Sequence, residues 1–159
     1  MRVLLAVFAW LAFCQPAAAQ QREADIYFLS FGGPPEAPTY IALGDANNIT
    51  ISPEGYRQLR SWTYFTRDGH AVIRSLMLVN EFDCAGGRYR MLQITGRSWD
   101  GGADSFPTEA QWEPIAPATN GETLSAFACG DDMAVRNTRF RRLGNVDRDD
   151  TGARLLRLQ

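Results

Sequence analysis

The sequence predicts an α+β domain, mainly β: a single antiparallel sheet of about six strands, with one short helix tied to its face by a disulfide. Three observations point there. Strand-forming segments separated by Gly, Pro and Asn turns follow one another from Ile26 to Ile94. A T-x-x-E capping box at Thr119 and Glu122 opens one helical stretch. Two cysteines, Cys84 and Cys129, remain once a cleaved leader is set aside.

Residues 1 to 19 read as an export signal. Arg2 is its positive start, Val3 to Phe13 its apolar run, and Ala17 and Ala19 the small residues a signal peptidase accepts, so a cut is expected between Ala19 and Gln20. The apolar run is too short to cross a hydrocarbon core, which needs about 20 helical residues, and no other segment is long enough. Cys14 leaves with this leader, and the bulky Phe13 before it does not suit a lipid-attachment motif. Cleavage leaves 140 of the 159 residues, a length that suits one core.

The strands follow in order. Ile26 to Phe31 is rich in strand formers and stops at Gly32-Gly33-Pro34-Pro35. Thr39 to Leu43 makes a second short strand, ending at Gly44-Asp45. Asn47-Asn48 turns the chain into Ile49-Thr50-Ile51, and Pro53-Glu54-Gly55 forms the next turn. Residues 57 to 66 alternate, with Trp62 and Tyr64 on one face and Leu59 and Phe65 on the other. Segments 71 to 83 and 88 to 97 form a hairpin across Gly86-Gly87, a dipeptide suited to a two-residue primed turn. With Ala85 opposite Arg88, the register sets Cys84 by Tyr89, Phe82 by Met91 and Leu78 by Thr95 on one face. Asp83 then opposes Arg90, and Val79 opposes Ile94, on the other.

Gly101 to Pro117 reads as loop, with Trp112 to Ile115 its apolar stretch. The helix follows, with Leu124, Phe127 and Ala128 at helical spacing up to Gly130. Cys129 sits on its last turn, so a bond to Cys84 tethers a helix of about three turns that would be marginal alone. An exported chain meets an oxidising compartment where two thiols pair. Closing 45 residues contributes about 4 kcal/mol on the chain-entropy view. Residues 131 to 159 form a charged, Arg- and Asp-rich C-terminal extension in which Ala134 to Phe140 is the one candidate strand.

In their order and spacing these pieces resemble the surface-adhesin protein E family of exported bacterial domains. The resemblance is carried by Tyr40-Ile41-Ala42-Leu43, by Trp62, and by Glu81-Phe82-Asp83-Cys84-Ala85 with Arg88-Tyr89-Arg90-Met91-Leu92. Trp112-Glu113-Pro114-Ile115-Ala116-Pro117 and Gly121-Glu122-Thr123-Leu124 up to Cys129 complete it. It implies a sheet-plus-helix domain within residues 20 to 130, tied by the Cys84–Cys129 bond. It also implies adhesion, since the family's named member is an outer-membrane adhesin that binds host extracellular-matrix proteins and can dimerise.

Charge excludes one class of partner. All 16 basic residues are Arg, and loss of Arg2 takes the net charge from −2 to −3, which gives no reason to expect nucleic acid. The expected function is an exported, non-enzymatic binding module of periplasm or cell surface, holding a protein or glycan through the sheet face or through Arg136, Arg139, Arg141 and Arg142. That cluster suits an anionic partner. The alternatives are an envelope protein that pairs with itself through Val79, Leu92 and Ile94, and a small hydrolase that uses His70 beside Asp68. No cofactor is called for. Asp147, Asp149, Thr151 and Gly152 fit the first half of a calcium loop, but position 12 is Leu158 rather than Glu, which leaves a weak calcium candidate. Asp150-Thr151-Gly152 spells an aspartic-protease triplet without the chain needed after it, and Asn48-Ile49-Thr50 is a glycosylation sequon in form only.

Overall fold

The computed structural model describes residues 23–130 and 133–157. The expected leader, its cut at Ala19 and Cys14 lie outside the described residues. In chain order the elements are β1 (Ile26–Gly32), β2 (Tyr40–Asp45), β3 (Thr50–Ile51), β4 (Arg57–Phe65), β5 (Ile73–Asp83) and β6 (Arg88–Ser98). β7 (Ala103–Pro107), β8 (Glu113–Pro114), α1 (Asn120–Cys129), α2 (Met133–Arg139), β9 (Arg141–Gly144) and α3 (Arg148–Arg157) complete the chain.

Among the described residues nine strands form one antiparallel sheet in the order β7-β6-β5-β4-β2-β1-β9, with β3 added to β4 and β8 to β6. The six expected strands are β1 to β6. The other three come from segments that carry no strand pattern, because β7 and β8 have no buried residue and β9 only partly buried ones. Their pairing is enforced by neighbouring backbone rather than by a buried face of their own.

Both faces of the central strands are buried, and side-chain alternation sorts the core into two layers. On one face Tyr27, Leu29, Ala42, Leu59 and Phe82 pack with Phe127, Ala128 and Phe140. Phe127 sits 5.2 Å from Tyr27 and 5.3 Å from Phe140 between ring centroids. On the other face Ile26, Ile41, Leu43, Trp62 and Tyr64 pack with Leu143, Val146, Leu155 and Leu156. The alternation of Leu59 against Trp62 and Tyr64 is therefore as the sequence predicts, and each set has its own helix.

Helix α1 starts at its T-x-x-E box. Thr119 Oγ1 accepts from Glu122 N at 3.3 Å, which satisfies one unpaired first-turn donor, and the Glu122 carboxylate reaches back past the cap to accept from Ala118 N at 2.8 Å. The Cys84–Cys129 bond, with Cα atoms 5.7 Å apart, joins the last residue of α1 to the residue that follows β5.

Two expectations need correction. The hairpin does not close with a two-residue turn: Asp83 pairs with Arg88, Phe82 with Tyr89 and Glu81 with Arg90. The Asp83 carboxylate accepts from Gly86 N at 2.8 Å and from Arg88 Nε at 2.9 Å, stabilising a four-residue turn with Gly87 at φ +63°. A bulge at Leu92 then shifts the register, so Val79 opposes Gln93 and Leu78 opposes Ile94. Val79 and Ile94 consequently leave the sheet on opposite faces, and the shared apolar patch expected around Val79, Leu92 and Ile94 does not form. The second correction is in the tail, where Ala134 to Phe140 is helical through Arg139, and the strand comes next, at β9, beside β1.

Helix α3 lies on the second face through Thr151, Gly152, Leu155 and Leu156, which share one stripe at helical spacing. A Cβ on Gly152 would stand 2.6 Å from the Tyr64 ring, which is itself 5% exposed, so only glycine allows this approach.

Two outcomes are expected. Replacing both Cys84 and Cys129 by Ser should cost about 4 kcal/mol in denaturant unfolding, and the wild-type thiols should alkylate only after reduction. Gly152→Ala should destabilise by about 1–3 kcal/mol through overpacking. On an exposed helix the same change would stabilise by about 1 kcal/mol, so the sign of the shift tests whether α3 is docked.

Candidate functional site

The residues singled out from sequence do not converge. Arg136 donates from Nε to the Phe127 carbonyl at 3.0 Å and holds α2 to the end of α1. Arg142 pairs with Asp25 at 2.7 Å. Arg139 and Arg141 stay exposed, with the Arg139 guanidinium 5.7 Å from the Phe140 ring centre. Asp147 caps α3 by accepting from Asp150 N at 2.8 Å, Asp149 accepts from the Tyr64 hydroxyl at 2.5 Å, and Thr151 is buried. Among the described residues no three or more His, Cys, Asp or Glu side chains are grouped to hold a metal ion. Asp150 pairs with Arg154 at 3.2 Å along α3, so the Asp-Thr-Gly triplet lies in a helix. His70 Nδ1 accepts from the backbone N–H of Val72 (3.3 Å) and Ile73 (2.9 Å), and its ring lies against Phe65.

What the fold brings together is a groove that the sequence does not announce. Helix α3 covers β2 and β4 and stops there, leaving the same face of β5 and β6 open along the helix's flank. An open cavity of about 380 Å³ runs there between Tyr64, Phe65, Arg74 and Trp99 on one side and Ala153, Leu156 and Arg157 on the other. A hollow of about 100 Å³ shares Tyr64 and Arg74 with it, and a second of about 120 Å³ shares Ser75, Arg97 and Asp149 with the first, adding Trp62 and Arg148.

Aromatic rings and guanidinium groups are interleaved around this groove. The Arg148 guanidinium lies 4.4 Å from the Trp62 ring centre, and that of Arg67 lies 4.9 Å from Trp99. Trp99 is oriented by its indole N–H, which donates to the His70 carbonyl at 3.0 Å. Four arginines line the groove and its hollows against one carboxylate, Asp149, which is engaged by Tyr64 and stands 3.9 Å from Arg148. The arrangement favours a negatively charged group with an apolar or planar part. Sequence reading missed Arg74, Arg97, Arg148, Trp62 and Trp99 as a set because they lie on different elements. The available signal was the Thr151-Gly152 and Leu155-Leu156 stripe, which marks α3 as a packed helix.

Burial first, then the hydrogen bond to Asp149 and its charge, push the Tyr64 phenol well above its ordinary value near 10. Burial raises Tyr27 and Tyr89 in the same direction. The folded state thus holds these phenols neutral, and their contribution is intact below pH 10. It is lost as pH rises above that value, where the unfolded chain ionises. Tyr64→Phe should therefore make the fall of unfolding free energy above pH 10 shallower, as measured by urea titrations across pH 8 to 12.

Among the described residues no helix is long and apolar enough to cross a membrane. No curated protein and no solved structure matches the chain. A family model described as Surface-adhesin protein E matches residues 36–130, a span that runs from β2 to the end of α1 and contains both bonded cysteines, the groove floor and Trp99. β1, α2, β9 and α3 lie outside that span. The match covers more than half of the chain, which belongs to the surface-adhesin protein E family.

Proposed function

We propose that this protein is exported, cut after Ala19, and serves as a non-catalytic binding module that holds its partner in the groove between α3 and the β4-β5-β6 face. The observation that carries this reading is the groove itself: four arginines and two tryptophans around an open, partly apolar cavity beside a helix that stops short. Membership of a surface-adhesin family supports a binding role. The disulfide fits an oxidising compartment.

Among the described residues, none around the groove is set up as a nucleophile with its base. The cysteines are bonded to each other, and the His70 Nδ1 lone pair is taken by two backbone donors, which argues against the hydrolase alternative. The Arg139 and Arg141 surface is a weaker candidate, because Arg136 is committed to the Phe127 carbonyl and Arg142 to Asp25, which leaves two of the four guanidinium groups without such a role in the fold.

Retention of residues 20 to 159 on wells coated with reconstituted extracellular matrix tests this reading. Wild-type protein should be retained, and Arg74→Glu with Arg97→Glu should weaken retention by about tenfold or more. Equal retention of the two proteins would rule out the groove.

A further inference from the structure

We infer that the groove beside α3 receives an acidic polysaccharide, whose sulfate or carboxylate groups are held by Arg74, Arg97, Arg148 and Arg157. This rests on the groove reading above and names the chemistry of the partner.

The first support is a bulge. Ile73 pairs with Ser98 and Ser75 with Arg97, so Arg74 is an extra residue in β5. In regular alternation Arg74 and Ser75 would point to opposite faces. Arg74 instead lines the same hollow as Ser75 and Arg97, because the bulge re-aims it. Two guanidinium groups are thereby directed to one small space whose single carboxylate, Asp149, is engaged by the Tyr64 hydroxyl, so their like charges favour a further anion between them. Among the described residues neither Arg74 nor Arg97 pairs with a carboxylate. The hollow of about 100 Å³ has room for one sulfate or carboxylate group, and guanidinium forks suit both.

Spacing is the second support. Arg148 and Arg157 stand at the two ends of α3, nine residues apart and so about 14 Å along the helix axis. Arg74 lines both the main cavity, which Arg157 reaches, and the hollow with Arg97, which continues to Arg148. Cations placed in succession along a narrow groove fit a chain that repeats its negative charge, whereas a single small anion would use one end. Trp99 and Phe65 on the wall give such a chain an apolar surface for the C–H face of a sugar ring.

A nucleic acid is the competing polyanion. It would need a wider basic surface and open stacking platforms, whereas the protein's net charge is −2 and the Trp62 ring is 6% exposed beneath Arg148. A folded acidic protein would meet mainly the rim of so narrow a groove.

Calorimetric titration of the full exported chain tests the inference, with a heparin oligosaccharide as the sulfated probe and oligogalacturonate as the carboxylate probe. Neutral dextran, polyglutamate and a single-stranded oligonucleotide serve as comparisons. Binding of either acidic sugar, lost in raised salt and weakened about tenfold or more by Arg74→Ala with Arg97→Ala, is the expected result. Both arginines are exposed, so the variant should keep its fold, and Arg139→Ala with Arg141→Ala should bind as wild type. The inference is overturned if neither sugar binds, if polyglutamate or the oligonucleotide binds as well as the sugars, or if only the Arg139 and Arg141 variant loses binding. Should the groove variant lose matrix retention while wild type ignores both sugars, the polysaccharide fails and the groove reading stands. Should matrix retention survive in the groove variant, the groove reading itself fails.

Discussion

Strand β4 buries side chains on both of its faces, and the rest of the fold is arranged to satisfy it. Leu59 and Ser61 point to one side, Trp62 and Tyr64 to the other, and all four are nearly inaccessible. A sheet with one apolar face needs one cover, but a central strand apolar on both faces needs two. Helix α1, capped by Thr119 and bound to the sheet by Cys84–Cys129, is the first. Helix α3 is the second, and it reaches its place because β9 extends the sheet beside β1 and returns the chain to the far face.

Buried charge is handled by the same strands. Glu81 lies inside the sheet at 1% exposure, where an unpaired carboxylate would be costly. Gln58 donates to it at 2.8 Å, and Arg90 Nε and Nη2 reach its other oxygen at 2.6 and 2.5 Å. The Arg90 guanidinium in turn lies 4.6 Å from the Trp112 ring centre, and Trp112 meets Tyr56 edge-on. This chain of contacts draws the segment after β7 across the end of β4, β5 and β6. It gives β8 a reason to pair there although no residue of β8 is buried.

The groove follows from unequal coverage. Helix α3 spans about 15 Å and seals β2 and β4, and the sheet continues past it through β5, β6 and β7. Exposed sheet beside a helix edge leaves a trough, and the side chains that fall into it are set by register rather than by any local motif. One bulge puts Arg74 there, and the pairing of Ser75 with Arg97 puts Arg97 there. The floor belongs to the span shared with the family, whereas α3 lies outside that span. The α3 side of the site is therefore supplied by the part of the chain that the family span does not include.

The local rules of the sequence determined much of this protein. Alternation set the six strands and the two-sided character of β4, the T-x-x-E box set where α1 begins, and two remaining cysteines could pair in one way within the chain. Each is a near-neighbour property, or a choice without alternatives. Tertiary structure alone decided the hairpin register, because the Asp83 carboxylate closes a four-residue turn and a bulge absorbs Leu92. It alone decided the role of the tail, because Gly152 and the two leucines of α3 have meaning only against Tyr64 and Trp62, far away in sequence. The groove is of the same kind: arginines at 74, 97, 148 and 157 carry no common spacing, and they form a site only because strand pairing and helix docking, which act over long separations, bring them to one place.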